Sequence, residues 1–364
     1  MSPELPYQMA LTMVQGVGNT VAKNLISYCG SAQGVFSEKK SFLKKIPNIG
    51  EFTANNIATF NGFEEIDQEI KRIEKHKVKT LFYLDKSYPY RLKNYEDSPI
   101  LMYYRGTADL NHDRIISIVG TRKATVYGKQ FTEQLCEAFK QHNVLITSGL
   151  ASGTDTNAHK YSLKNNIPTV GVLGHGLQTI FPTDNRKLAI EMLDNGGLLT
   201  EYRFNAPGVK ENFPQRNRIV AGMCDALIVI ESGSRGGSLI TAEIANGYNK
   251  DVYALPGKIT DPWSQGCNNL IHQNKAAIIE SIDELIKVLG YDQKIKSRAA
   301  QLSLLQHLSD PEMKVVNYLR EGEKGIDDLH YETQINVSQL ALILLDLEFN
   351  GIINSLPGKK YAMK

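Results

Sequence analysis

The chain has 364 residues, 42% of them hydrophobic, and a formal net charge of +2. This length predicts two or three soluble domains with real cores, and so mild a charge excludes a surface that is basic throughout, so any polyanion must be bound locally. Cys29, Cys136, Cys224 and Cys267 stand far apart with no Cys-x-x-Cys pair, which argues against a disulfide framework or a zinc site. Neither a metal nor a cofactor is expected, and the compartment is expected to be reducing and cytoplasmic. The apolar runs are too short for a membrane span, and the N-terminus lacks a signal-peptide pattern.

Residues 1–75 predict a helical domain with an internal repeat. Val14-Gln-Gly-Val-Gly18-Asn-Thr-Val-Ala22-Lys-Asn-Leu25 aligns with Ile46-Pro-Asn-Ile-Gly50-Glu-Phe-Thr-Ala54-Asn-Asn-Ile57. In each copy an apolar position and a glycine turn precede a helix whose alanine faces inward. Both resemble helix-hairpin-helix units, where N–H groups at the next helix N-terminus can meet a phosphate. A small helical bundle without a ligand would use the same glycines, which adopt φ > 0 freely.

Over 76–290 the pattern changes. Strands are expected at Lys79–Leu84 and Ile100–Arg105, a lead-in that docks on the next domain. Apolar strand runs then alternate with amphipathic helices: Ile115–Val119, Val144–Thr147, Thr169–Leu173, Leu198–Glu201, Ala226–Ile230 and Asp251–Leu255. Near-continuous apolar strands separated by helices predict an α/β domain, an extended Rossmann-like, doubly wound parallel sheet covered on both faces. The polar stretch 291–307 reads as a linker. Residues 308–364 predict three helices and a hairpin, a winged helix, whose third helix is rich in Leu and Ile and therefore as suited to packing or dimerisation as to duplex DNA.

The loops after the parallel strands carry the chemistry and converge on one sheet edge. Gly120-Thr121-Arg122 ends the first strand where a dinucleotide site would read Gly-x-Gly, and a guanidinium there suits an external phosphate chain better than a buried dinucleotide. Ser148-Gly149 and Gly153 precede a helix and offer open amides, whereas His159 reads as a structural hydrogen-bonder. Gly174, Gly176, Phe181 and Arg186 follow the third strand; an aromatic beside a basic residue suits single-stranded nucleic acid, although Phe181 in a core is equally consistent. Arg216, Asn217 and Arg218 precede the fifth strand, the turn with Gly237 and Ser238 follows it, and Lys258 follows the sixth; Arg122, Arg216 and Arg218 are expected to contact backbone phosphates, with the Gly149, Gly153 and Gly237 loops donating amides.

Together, Gly120-Thr-Arg122, Ser148-Gly-Leu-Ala, Asp155 with His159, Gly174-x-Gly-Leu, Phe213-Pro-x-Arg-Asn-Arg218-Ile, Gly237-Ser-Leu-Ile-Thr-Ala242 and Pro256-Gly257 with Gly266-x-Asn268 resemble the DNA-processing protein A (DprA/Smf) family across the whole α/β region. That resemblance implies a non-enzymatic recombination mediator that binds single-stranded DNA, protects incoming strands in natural transformation, loads the RecA recombinase and acts as a homodimer. The segment Gly247–Leu255 is a plausible contributor to that dimer. The chain departs from the family at Gln178 and Phe181-Pro182, where Asp and Tyr-Pro are usual, and at Arg235-Gly236, where Lys-Ser is common. One alternative is a Rossmann-like nucleoside monophosphate phosphoribohydrolase using Glu243, although Leu239, Ile240 and Arg235 depart from its loop. A protein adaptor acting through its end domains is another.

Overall fold

The computed structural model describes residues 2–291, 308–320, 322–349, 352–356 and 360–363. They form two compact units, Met1–Gly290 and Tyr291–Lys364. The first opens with helices α1 (Leu5–Met13), α2 (Asn19–Cys29), α3 (Ala32–Ser37), α4 (Lys40–Leu43), α5 (Glu51–Ala58) and α6 (Phe63–Lys75). Gly18 and Gly50 cap α2 and α5 in the same extended conformation, and the repeat's alanines, Ala22 and Ala54, are buried.

Neither helix start has a side-chain cap. At α2, Asn19 accepts from the Ile100 N–H, and Lys23 donates to the carbonyls of Tyr95 and Glu96 and to the Ser98 hydroxyl. At α5, the first helical residue is Glu51, a carboxylate in the first turn, where the helix dipole favours negative charge. Hydrogen bonds from Lys40 and Lys44 hold its pKa down at about 2. The helices also share a core with the sheet: Leu5, Met9, Leu25 and Ile73 lie in one buried cluster with Leu101, Tyr103, Leu173 and Leu198.

The sheet has nine strands: β1 (Lys79–Phe82), β2 (Leu101–Gly106), β3 (Ile115–Val119), β4 (Leu145–Ser148), β5 (Thr169–Leu173), β6 (Gly196–Thr200), β7 (Ala226–Val229), β8 (Asp251–Ala254) and β9 (Ala277–Ile278). Their order is β1-β2-β6-β5-β4-β3-β7-β8-β9. From β6 to β9 every pairing is parallel, whereas β2 is antiparallel to β6 and β1 to β2. The two lead-in strands thus continue the main sheet instead of docking on it.

The intervening helices are α7 (Tyr90–Lys93), α8 (Val126–Phe139), α9 (Thr154–Lys164), α10 (Arg186–Glu191), α11 (Asn212–Met223), α12 (Gly237–Gly247), α13 (Gln265–His272) and α14 (Ile282–Val288). All five residues of β3 are buried, as a central strand covered on both faces requires. Ile115 and Val119 pack with Ile219 and Val220 of α11 and Ala242 of α12, and Ser117 on the same face donates to the Val220 carbonyl. The chain steps from β3 to β6 in one direction, returns through α11, and resumes at β7 beside β3. These two strands therefore meet at a topological switch point, where loops leaving in opposite directions open a crevice at the carboxyl edge.

The second unit is a winged helix: α15 (Asp310–Leu319), β10 (Lys324–Gly325), α16 (Ile326–Thr333), α17 (Val337–Phe349), β11 (Ile353–Leu356) and β12 (Lys360–Met363), with strand order β10-β12-β11. Ser309 and Glu312 close a capping box at the start of α15. Leu340, Ile343, Leu344 and Leu347 of α17 are buried, while Leu342, Leu345 and Phe349 are 64%, 60% and 92% exposed. The helix carries Asp346 and Glu348 and no lysine or arginine, a poor match to duplex phosphates. Beyond Tyr291, the expected linker over 291–307 lies outside the described residues. Among the described residues no helix is long and apolar enough to cross a membrane.

Candidate nucleic-acid interface

A groove of about 930 Å³ occupies the switch-point crevice. Gly120 to Lys123 enter it from β3, Gly233 to Ser238 with Ile240 and Thr241 from β7 and the start of α12, and Arg216 and Asn217 from α11. Phe181 and Phe213 lie on the β5 side, with ring centroids 5.7 Å apart, and Trp263 comes from the loop after β8. The two strand-end loops are fastened together. Glu231, 1% exposed and just beyond β7, accepts from both the N–H and the hydroxyl of Thr125, the N-cap of α8. That carboxylate sets the height of the loop carrying Arg122 and Lys123.

Two of the helix N-termini at this edge differ in what their amides meet. At α12 the cap is Gly236, without a side-chain cap, and the N–H groups of Gly237 and Ser238 meet no acceptor among the described residues. A Cβ added at Gly237 would find nothing within 4 Å, and both residues line the groove with the exposed Arg235 beside them. Amides and dipole there favour an anion.

The α9 terminus, expected to offer open amides, is closed upon itself. The Gly149 and Ala151 N–H groups donate to the Asp155 carboxylate at 3.1 and 3.3 Å. The Thr154 N–H donates to the Thr121 carbonyl and the Thr156 N–H to that of Ala151. Gly153, with φ +82°, is needed for a different reason. A Cβ there would strike the backbone of Thr121 and Arg122, so glycine lets α9 abut the Arg122 loop.

The arginines separate in the same way. Arg122 is exposed, and no ion pair is formed by it among the described residues. Arg216 is only 5% exposed and lies in the groove floor, where Nη1 donates to the carbonyls of Gly149 and Val172 while its buried Nε has no partner. Burial lowers its pKa, offset by Asp155, whose own pKa burial raises. Arg216 therefore holds the strand ends together under the groove. Arg218 faces away: it forms a two-bond pair with Glu201 at 2.8 and 2.6 Å and donates to the Asp97 carbonyl.

Of the other expected residues, Ser148 is buried and donates to the Ile118 carbonyl, joining β4 to β3. Gly174 packs against Phe213, and the Gly176 N–H donates to the Ala206 carbonyl. Arg186 and Lys258 are exposed but do not line the groove. Gly120, Thr121, Arg122, Gly149, Phe181, Arg216, Asn217, Gly237 and Ser238 do line it. Phe181, 55% exposed, stands at the groove and not in a core. Sequence reasoning missed Lys123, Lys210, Phe213, Trp263 and the clamp Glu231, and it left Arg235 out of the site. Lys123 and Arg235 could have been taken from their neighbours in the two loops, but Lys210 and Trp263 had no spacing signal. Glu243, the carboxylate required by the hydrolase alternative, lies outside the groove lining and pairs with Lys275.

Residues 79–290 match the family model described as DNA recombination-mediator protein A, and residues 299–359 match the DprA winged helix domain. The chain belongs to the DNA recombination-mediator protein A family. Among its relatives, protein Smf of Synechocystis is 29% identical over 99% of both chains. DNA processing protein DprA of Streptococcus pneumoniae is 36% identical over 61% of this chain and 78% of its own length. The solved structure of that Streptococcus pneumoniae protein covers 78% of this chain and 97% of its own with a TM-score of 0.68 and 29% identity. DNA processing protein A from Helicobacter pylori, in a structure concerned with its single-stranded DNA binding mode, covers 60% of this chain and 98% of its own at TM-score 0.55 and 30% identity.

In this member of the family His159 is structural. It is fully buried; the Thr169 hydroxyl donates to the Ile146 carbonyl and so accepts from Nδ1–H of His159, while the buried Nε2 has no partner. Burial lowers its pKa to about 3. The folded pKa lies below the unfolded one, so this contribution to stability is complete above about pH 6.5 and fades as the pH falls towards 3. We expect about 2 kcal/mol of stability to be lost through His159 between pH 7 and pH 5. Urea unfolding of wild type and His159→Gln at both pH values checks this: the variant should show the smaller loss.

Proposed function

We propose that this family member binds single-stranded DNA along the switch-point groove and acts without catalysing a reaction. Four exposed cations line the groove, Arg122, Lys123, Lys210 and Arg235, and none of them forms an ion pair among the described residues. That observation carries the reading. The lining contains one carboxylate, Asp155, which is turned onto backbone amides. Phosphates would lie against the cations and the open amides of α12, and a base would stack on Phe181. The single-stranded DNA binding mode that the Helicobacter pylori relative's structure concerns supports the same ligand here. Protection of incoming strands, loading of RecA in natural transformation, homodimerisation and a cytoplasmic location complete the proposal.

The test is anisotropy of a labelled single-stranded oligonucleotide over a salt series. With a handful of phosphates neutralised, log affinity should fall with log salt at a slope of about −2 to −4, and equal-length duplex should compete poorly. An affinity independent of salt would overturn the reading. Free base released from nucleoside monophosphates by wild type but not Glu243→Gln would turn attention to the hydrolase alternative.

A further inference from the structure

Trp263 is the chain's one tryptophan, and the phosphate chemistry above makes no use of it. Its backbone is pinned on both sides: its N–H donates to Asp261 Oδ1 at 3.1 Å, and its carbonyl accepts from Ser232 N–H at 2.7 Å. The six-membered ring lies beside Gly233, where an added Cβ would come within 3.7 Å of it, and both residues line the groove. The indole N–H meets no protein acceptor among the described residues and is not enclosed. A large ring, only partly buried, is thus held rigidly at a site that anionic ligands can reach.

We propose that Trp263 forms a second base-stacking subsite, across the switch point from Phe181. The proposal rests on the single-strand reading and adds to it the strand's path. Phe181 follows β5 and Trp263 follows β8, which stand four strand intervals apart in the sheet, on the order of 20 Å at the usual spacing. Between them lie Arg122 and the N-terminus of α12, both suited to phosphates. A strand crossing the groove would therefore stack a base at each flank and place its backbone over the middle. Indole offers the largest aromatic face of any side chain, and stacking tolerates every base.

The experiment titrates the whole protein with an end-labelled oligothymidylate, following label anisotropy and indole emission together; the emission comes from Trp263 alone. Emission should change with the same midpoint as anisotropy, and bound DNA should protect the indole from acrylamide. Trp263→Ala should weaken binding roughly 5- to 150-fold, while Trp263→Phe, which keeps a ring, should retain most of the affinity. Circular dichroism of both variants reports folding. Wild-type binding by anisotropy with unchanged emission and acrylamide access would overturn the subsite, even if Trp263→Ala bound weakly, because the residue would then only brace its loop. Normal binding by Trp263→Ala would overturn it as well. No binding by the wild type would remove the single-strand reading and the subsite together.

Discussion

Arg122→Glu should weaken single-strand binding on the order of 30-fold at low salt and make the salt slope shallower by about 0.7. At 4 Å in water an exposed charge pair is worth about 1 kcal/mol, and reversal replaces that attraction with an equal repulsion. The neighbours amplify the effect: Gly153 presses α9 against the Arg122 backbone, and Glu231 holds the far end of the loop at Thr125. With the loop thus fixed, the new carboxylate cannot swing clear. Arg122→Gln, which removes the charge without reversing it, should fall between. Anisotropy at several salt concentrations measures both quantities, and an unchanged slope in Arg122→Glu would mean that no phosphate lies at this residue.

Glu201→Ala should destabilise the first unit by about 3–5 kcal/mol, lowering its melting temperature by roughly 10 °C. The side chains of Arg218 and Glu201 are 11% and 13% exposed. Burial acts to lower the Arg218 pKa, but the hydrogen bonds and charge of Glu201 raise it overall. Removing the carboxylate would strand a largely buried guanidinium. Folded Glu201→Ala protein should bind oligonucleotide as wild type does, because the pair points away from the groove. Thermal unfolding and anisotropy on the same preparation separate the two statements: loss of affinity in folded protein would return Arg218 to the DNA site.

The two arginines of α11 show how far a sequence motif reaches. Arg216 and Arg218 belong to one family signature, yet a spacing of two residues on a helix turns side chains about 200° apart. Only one of them could face the groove. The spacing carries that much, although both were expected to contact phosphates. That the inward one would be buried as a strap between β4 and β5 was not, since its acceptors, the carbonyls of Gly149 and Val172, belong to remote segments. The glycine loops diverge in the same way. Gly149 and Gly237 look alike in sequence, but the amide of Gly149 is taken by Asp155, while no side chain reaches that of Gly237.

The sequence by itself determined the strand runs of the parallel sheet, the paired glycine turns, the winged helix and the family. Burial on both faces demands continuous apolar strands, and capping and turning demand particular residues at particular local positions; both are properties of short segments. Tertiary structure alone decided the joining of β1 and β2 to the main sheet and the closing of the α9 terminus. It also decided the pairing of Arg218 with Glu201 and the meeting of Phe181, Lys210 and Trp263 with Arg122 around one groove. Those outcomes depend on which distant groups approach within a few ångströms, and hydrogen bonding and charge pairing at that range leave no periodicity along the chain.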